Sequence, residues 1–140
     1  MSNIVELLLN TELEKIQRPT KQVEITRLSN ILGEPFIVLC KGLTYDRYTQ
    51  IQDNCLEISE NGQPNIDLTK MQLETVLAGV YTVEGGKLFQ NKDLQSKFKV
   101  PVAAELAKKL LLTGEISELS DVITGLTGYG ENSIKQIEGL

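Results

Sequence analysis

A chain of 140 residues and 15.6 kDa has room for one hydrophobic core and not for two. Hydrophobic residues at 41% and charged residues at 24% mark it as globular, and aromatics at 5% with no tryptophan leave leucine, isoleucine and valine to build the interior. A net charge of −5 and a pI near 4.8 speak against nucleic-acid binding, which takes a basic surface to displace counterions from phosphates. The lysines at Lys87, Lys92, Lys97 and Lys99 have no arginine or exposed aromatic among them and read as a solvated face.

At the N-terminus Ile4, Val5, Leu7, Leu8 and Leu9 form a dense apolar cluster, and Thr11 with Glu14 has the spacing of a capping box. Either one helix runs from Ser2 to Gln17, or a short helix breaks near Asn10 and restarts; Pro19 ends it. Residues 1–17 are thus an apolar N-terminal arm, for which docking on the domain core is the preferred reading and contact with a neighbouring subunit or partner the alternative. Glu6 inside the apolar run and the lack of a basic start argue against a signal peptide, no run reaches the length of a membrane span, and a cytoplasmic protein is expected.

Val23, Ile25 and Arg27 alternate with Glu24 and Thr26 as in a half-buried strand, and Pro35 to Lys41 carries the β-prone run Phe36 to Leu39. Ser29, Asn30, Gly33 and Glu34 between them are turn chemistry, so the pair predicts a β-hairpin. Thr44 then caps a helix with the stripe Tyr45, Tyr48, Ile51, Cys55 and Ile58. Asn61 to Asn65 is a loop, after which Asp67 or Thr69 caps a helix whose stripe Leu73, Val76, Leu77 and Val80 belongs to the core. Gly85 and Gly86 end that region, Leu88 and Phe89 continue as an extended piece, and Asn91 caps a short helix carrying Leu94 and Phe98.

Pro101 fits the first turn of the next helix, in which Val102, Leu106 and Leu110 form one row and Ala103, Ala107 and Leu111 the adjacent one. Gly114 closes it in the left-handed conformation, and a second helix follows with the stripe Ile116, Leu119, Val122, Ile123 and Leu126 and with Glu115 and Glu118 in its first turn. Beyond Leu126 the glycines Gly128, Gly130 and Gly139, with Asn132 and Ser133, predict a flexible tail over 128–140, in which Ile134 and Ile137 support at most one loose helical turn. The sum is an α+β fold: a mainly helical single domain, 1–127, with a small N-terminal β-hairpin and a C-terminal helical hairpin.

Chemistry is sparse. Histidine is absent, and Cys40 and Cys55 are too few for a four-ligand zinc site, so they read as buried or half-buried thiols in a reducing compartment. The carboxylate pairs Glu115 with Glu118 and Asp46 with Asp53 are accounted for by a helix start and an exposed face. The Thr127 to Gly130 stretch matches neither a P-loop nor a dinucleotide fingerprint, and no acidic loop suits calcium. We expect no enzyme, no cofactor and no metal.

The segment from Val100 to Gly128 carries a resemblance. Leu110, Leu111 and Leu112, followed by Gly114, Glu115 and Ile116, then Leu119, Ile123, Leu126 and Gly128, resemble the C-terminal block of phage tail assembly chaperones, in particular the XkdN-like group. Upstream, the short apolar N-terminal segment, the Phe-bearing strand at Pro35 to Lys41, the Thr-led helix from Thr44 and the helix from Leu68 follow the same order, so that the resemblance covers Leu13 to Gly130. It implies a non-catalytic protein that binds the tape measure protein, keeps it soluble, helps tail tube subunits assemble around it and is absent from the finished virion. It also leaves open a frameshifted longer product and a homo-oligomer. The alternative is a structural head or tail completion subunit retained in the particle. Leu7, Leu8 and Leu9 of the arm, and Leu110 and Leu112 of the helical hairpin, are the candidate partner contacts, burial being the preferred reading for Leu110 and evenly matched with exposure for Leu112.

Overall fold

The computed structural model describes residues 3–130 and 133–137; Met1 and Ser2, on which the predicted start of the first helix falls, and 131–132 and 138–140, which hold Asn132 and Gly139 of the predicted tail, lie outside the described residues. In chain order the elements are α1 (Ile4–Leu9), β1 (Thr20–Glu24), α2 (Thr26–Leu32), β2 (Ile37–Lys41), α3 (Tyr45–Asn54), β3 (Leu56–Ile58), β4 (Pro64–Ile66), α4 (Leu68–Gly79), β5 (Val80–Tyr81), α5 (Lys92–Lys97), α6 (Ala103–Leu110) and α7 (Thr113–Thr124). This is an α+β fold with an antiparallel three-stranded sheet in the order β1-β2-β5 and a separate β3–β4 pair.

β1 and β2 pair antiparallel as expected, with Lys21 opposite Cys40 and Val23 opposite Val38. Their connection differs from the predicted turn. Arg27 lies not on a strand but in α2, which fills the interval because Leu28, Ile31 and Leu32 have helical spacing and Ser29 serves the return strand, its Oγ accepting the Phe36 N–H at 2.7 Å. Val38 and Cys40 face inward, and Val80 joins them opposite Cys40. On the outer face Tyr81 lies opposite Leu39, and the Lys41 ammonium sits 4.4 Å from its ring centroid.

Local chemistry sets the helix starts. Thr44, Asp67 and Asn91 accept the backbone N–H groups of Arg47, Lys70 and Leu94 at 3.2, 3.1 and 3.0 Å. α3 stops at Asn54, earlier than its predicted stripe, so Ile58 belongs to β3 and stands 77% exposed. Of the predicted Asn61 to Asn65 loop, Asn61 to Gln63 form the turn of the β3–β4 hairpin, tied by the Ser59 N–H to the Gln63 carbonyl at 2.9 Å, while Pro64 and Asn65 belong to β4 and pair with Ile58 and Glu57.

The core lies between the inner face of the sheet and the α4–α7 pair, with α6 and Ile51 of α3 closing its flanks. Val76, Val80, Leu106 and Ile123 are fully buried there, each worth about 1.5–3 kcal/mol relative to exposure. α4 and α7 approach so closely that a Cβ on Gly79 would meet Ile123 side-chain atoms at 2.8 Å. A Cβ on Gly42 would lie 2.8 Å from the Leu126 carbonyl carbon, where the Leu43 N–H also donates to Thr127 Oγ1 at 3.0 Å. Thr127 in turn donates to the Ile123 carbonyl at 2.7 Å, so the end of α7 is stitched to the corner between β2 and α3.

The helical hairpin forms with a different joint. α6 ends at Leu110, Leu111 and Leu112 are extended, and α7 begins at Thr113, so Gly114 sits inside the first turn of α7 instead of closing α6 with a positive φ. Pro101 precedes α6, whose N-cap is the extended Val102, and Glu118 falls beyond the first turn of α7. A π-type turn over Gly125–Tyr129 follows, in which the Tyr129 ring stacks on Tyr48 at 5.2 Å between centroids. The described tail residues 133–137 form no helical turn, and Ile134 and Ile137 are exposed.

Candidate functional site

The arm is built from short pieces. Asn3 caps α1 by accepting the Glu6 N–H at 2.9 Å, and the helix ends at Leu9, so the broken arrangement is the one adopted. Thr11 does not cap a restart but donates back to the Leu7 carbonyl at 2.6 Å; a single 3-10 turn at Leu13–Lys15 follows. Every residue from Asn3 to Gln17 is exposed. Leu7, Leu8 and Leu9 are 56%, 61% and 78% accessible, and Ile4, Val5, Leu13 and Ile16 are exposed with them. Docking of the arm on the core is therefore not what the fold does. Single exposed leucines are ordinary, but five large apolar residues within one six-residue helix form a surface that water does not favour.

The α6–α7 joint is organised by charge. The Arg27 guanidinium donates from Nε to Glu115 Oε2 at 3.0 Å and from one terminal nitrogen to Oε1 at 2.9 Å and to the Leu110 carbonyl at 2.8 Å. Glu115 also accepts the Leu112 N–H at 2.8 Å, which satisfies an N-terminal donor of α7. The hydrogen bond from Arg27 is the main cause that holds the Glu115 carboxyl below its ordinary range, with the Leu112 N–H adding to it. Leu111 turns into the core, Leu110 is half-buried and Leu112 stands 55% exposed. The arm leucines do not cover Leu112, since both remain open to solvent.

Sequence reasoning missed a groove of about 320 Å³ beside β1. Val23 through Arg27 form one wall, and Glu115, Glu118, Leu119 and Val122 of α7 the other. Its floor is apolar, while its lining carries three carboxylates and one guanidinium, the latter engaged by Glu115. A second depression of about 480 Å³ lies between the start of α4 and the α6–α7 joint, against Leu73, Lys108 and Ile116. No local pattern marks the groove, because it arises where β1 and α7 are brought side by side.

Among the described residues no three metal-ligating side chains gather, and no helix is long and apolar enough to cross a membrane. Asp46 and Asp53 remain exposed on α3, and the Glu115–Glu118 pair is split by the commitment of Glu115 to Arg27. Cys40 and Cys55 are free and fully buried; burial pushes the Cys40 thiol up to about 11 and raises that of Cys55 as well. The neighbouring Tyr129 side chain, and then burial, push the Tyr48 phenol up to about 12. What the surface offers is apolar contact, an acidic groove and unpaired backbone.

A sequence profile described as phage XkdN-like tail assembly chaperone protein matches residues 5–139. No curated protein matches the chain in sequence. Among solved structures, the crystal structure of the protein YqbN is similar, with a TM-score of 0.59 at 16% identity over 92% of this chain and 98% of that one. At that identity the likeness concerns the fold alone.

Proposed function

Because this chain belongs to the phage XkdN-like tail assembly chaperones, we propose that it acts without catalysis, holding the tape measure protein in solution through apolar surfaces while tail tube subunits assemble. The observation that supports this reading most is the arm. Its seven large apolar side chains from Ile4 to Ile16 are all exposed on a body whose net charge of −5 favours solubility. Amphipathic client helices associate with such a surface by mutual burial, at about 25 cal/mol per Å² removed from water. Leu7, Leu8 and Leu9 are the leading contacts, Leu112 a secondary one, and Leu110 contributes through the joint that it helps to build.

Co-expression with the tape measure protein of the same phage genome, followed by size exclusion, tests the reading. The expected result is a soluble complex, with the client insoluble alone and lost from solution when Leu7→Ser and Leu8→Ser are combined. A stable oligomer retained in purified particles, with no client bound, would favour the head or tail completion subunit.

A further inference from the structure

The free edge of β1 has the features of a strand-acceptor site. The Pro19 carbonyl accepts the Gly42 N–H at 2.9 Å, and the Ile25 N–H donates to the Phe36 carbonyl at 3.0 Å. In the register that pairs Thr20 with Lys41, hydrogen-bonded and open positions alternate, so Lys21 and Val23 bond to β2. Thr20, Gln22 and Glu24 therefore turn their N–H and C=O groups outward, and all three are exposed. Among the described residues β1 has β2 on one side and no strand on the other. Folded proteins commonly shield such an edge with a bulge, a covering element or a mid-strand proline, and among the described residues none of these covers Gln22.

Below this edge runs the groove against α7. A strand laid beside β1 places alternate side chains over Leu119 and Val122, next to the Glu118 carboxylate, which has no ion-pair partner among the described residues. Resting on the chaperone reading above, we propose that this edge takes up an extended, apolar segment of the client bearing lysine or arginine, which adds to the sheet as a fourth strand. Its cation belongs at the Val23–Ile25 end near Glu118, because Lys21 holds the other end of β1. Main-chain pairing is indifferent to most side chains, which suits a holder of a long client; the acidic groove supplies the selection.

Local charge sets this occupant apart from the arm, and net charge sets it apart from a second copy. The arm carries Glu6, Glu12 and Glu14 against Lys15, the same sign as the groove. Antiparallel β1–β1 pairing about Gln22 puts Lys21 opposite Val23 and so offers the groove one cation, but it also joins two bodies that each carry a net charge of −5, which disfavours a second copy.

The test uses the full chain with two short synthetic peptides, alternating valine with lysine or valine with glutamate. Amide exchange by NMR and fluorescence anisotropy are the readouts. The lysine peptide should bind and slow exchange at Gln22 and Glu24. Glu118→Lys, on the exposed side of α7, should weaken it about tenfold, and Gln22→Pro, which removes an outward N–H and leaves the ladder to β2 intact, should abolish the protection. Equal binding of both peptides, binding of neither, protection on the arm alone, or occupation of the edge by a concentration-dependent dimer would overturn the proposal. If the client stays soluble with Glu118→Lys and with Gln22→Pro as with the unaltered chain, the edge site fails and the chaperone reading stands. If the lysine peptide protects Gln22 while the unaltered chain holds no client, the edge site stands and the chaperone reading fails.

Discussion

The arm and the α4–α7 seam are both rich in large aliphatic residues, yet their fates are opposite. At the seam Val76, Leu119 and Ile123 are sealed by a close helix approach at Gly79; in the arm, none of the residues from Ile4 through Leu9 is buried. The difference is not hydrophobicity but the availability of a complementary surface. α4 and α7 present stripes to each other, and α7 also packs on β2, whereas α1 is six residues long, flanked by Asn10 and Thr11 and followed by an extended run to β1. A helix that short gains little from its own backbone, so its apolar face is of use only against something else.

Substitutions at the seam, at its lock and in the arm can break that contrast. The largest effect is expected from Ile123→Ala, which leaves a cavity at the centre of the core and should cost about 2–5 kcal/mol in urea unfolding. Next comes Gly42→Ala, whose added methyl presses on the Leu126 backbone and should cost about 1–3 kcal/mol, with faster amide exchange at Leu43 and Thr127. Glu115→Gln should destabilise less and should change the pH dependence. The Glu115 carboxyl titrates below its ordinary value of 4.5 in the folded chain, so its contribution is fully present above pH 4.5 and is lost as pH falls through the lowered folded value. The unaltered chain should therefore lose stability on acidification through this range, and the glutamine variant should show a flatter profile by thermal melting. The smallest effect on stability belongs to Leu7→Ser combined with Leu8→Ser, within about 0.5 kcal/mol of the unaltered chain. A large loss of cooperative melting there would place the arm in the core and erase the contrast.

What could be read from the sequence was what is decided locally. Thr44, Asp67 and Asn91 cap their helices because a cap needs only the next three residues, and the Ile116, Leu119, Ile123 stripe faces the core as its period requires. Val80 fits the end of the α4 stripe equally well, and only Cys40, far away in the chain, recruits it into the sheet. The joint at Leu111 and Leu112 escaped for the same reason. Gly114 looks like a helix terminator until Arg27, 88 residues earlier, fixes Glu115 as the N-terminal anchor of α7. The groove was illegible altogether, since Val23 and Val122 share no local pattern. In the arm, composition announced an apolar surface, while its exposure followed from the lack of any matching stripe left over in the core.

The two buried thiols give the chain a pair of internal clocks. Only the thiolate reacts readily with alkylating reagents, and burial both shields Cys40 and Cys55 and disfavours their ionised forms. Labelling at neutral pH therefore waits on opening of the segment that covers each one. Cys40 sits on the central strand and Cys55 at the boundary between α3 and β3. Equal labelling rates would mean that the molecule comes apart as one cooperative unit; a faster Cys55 would mean that the side bearing the β3–β4 hairpin loosens first, while the sheet is still closed.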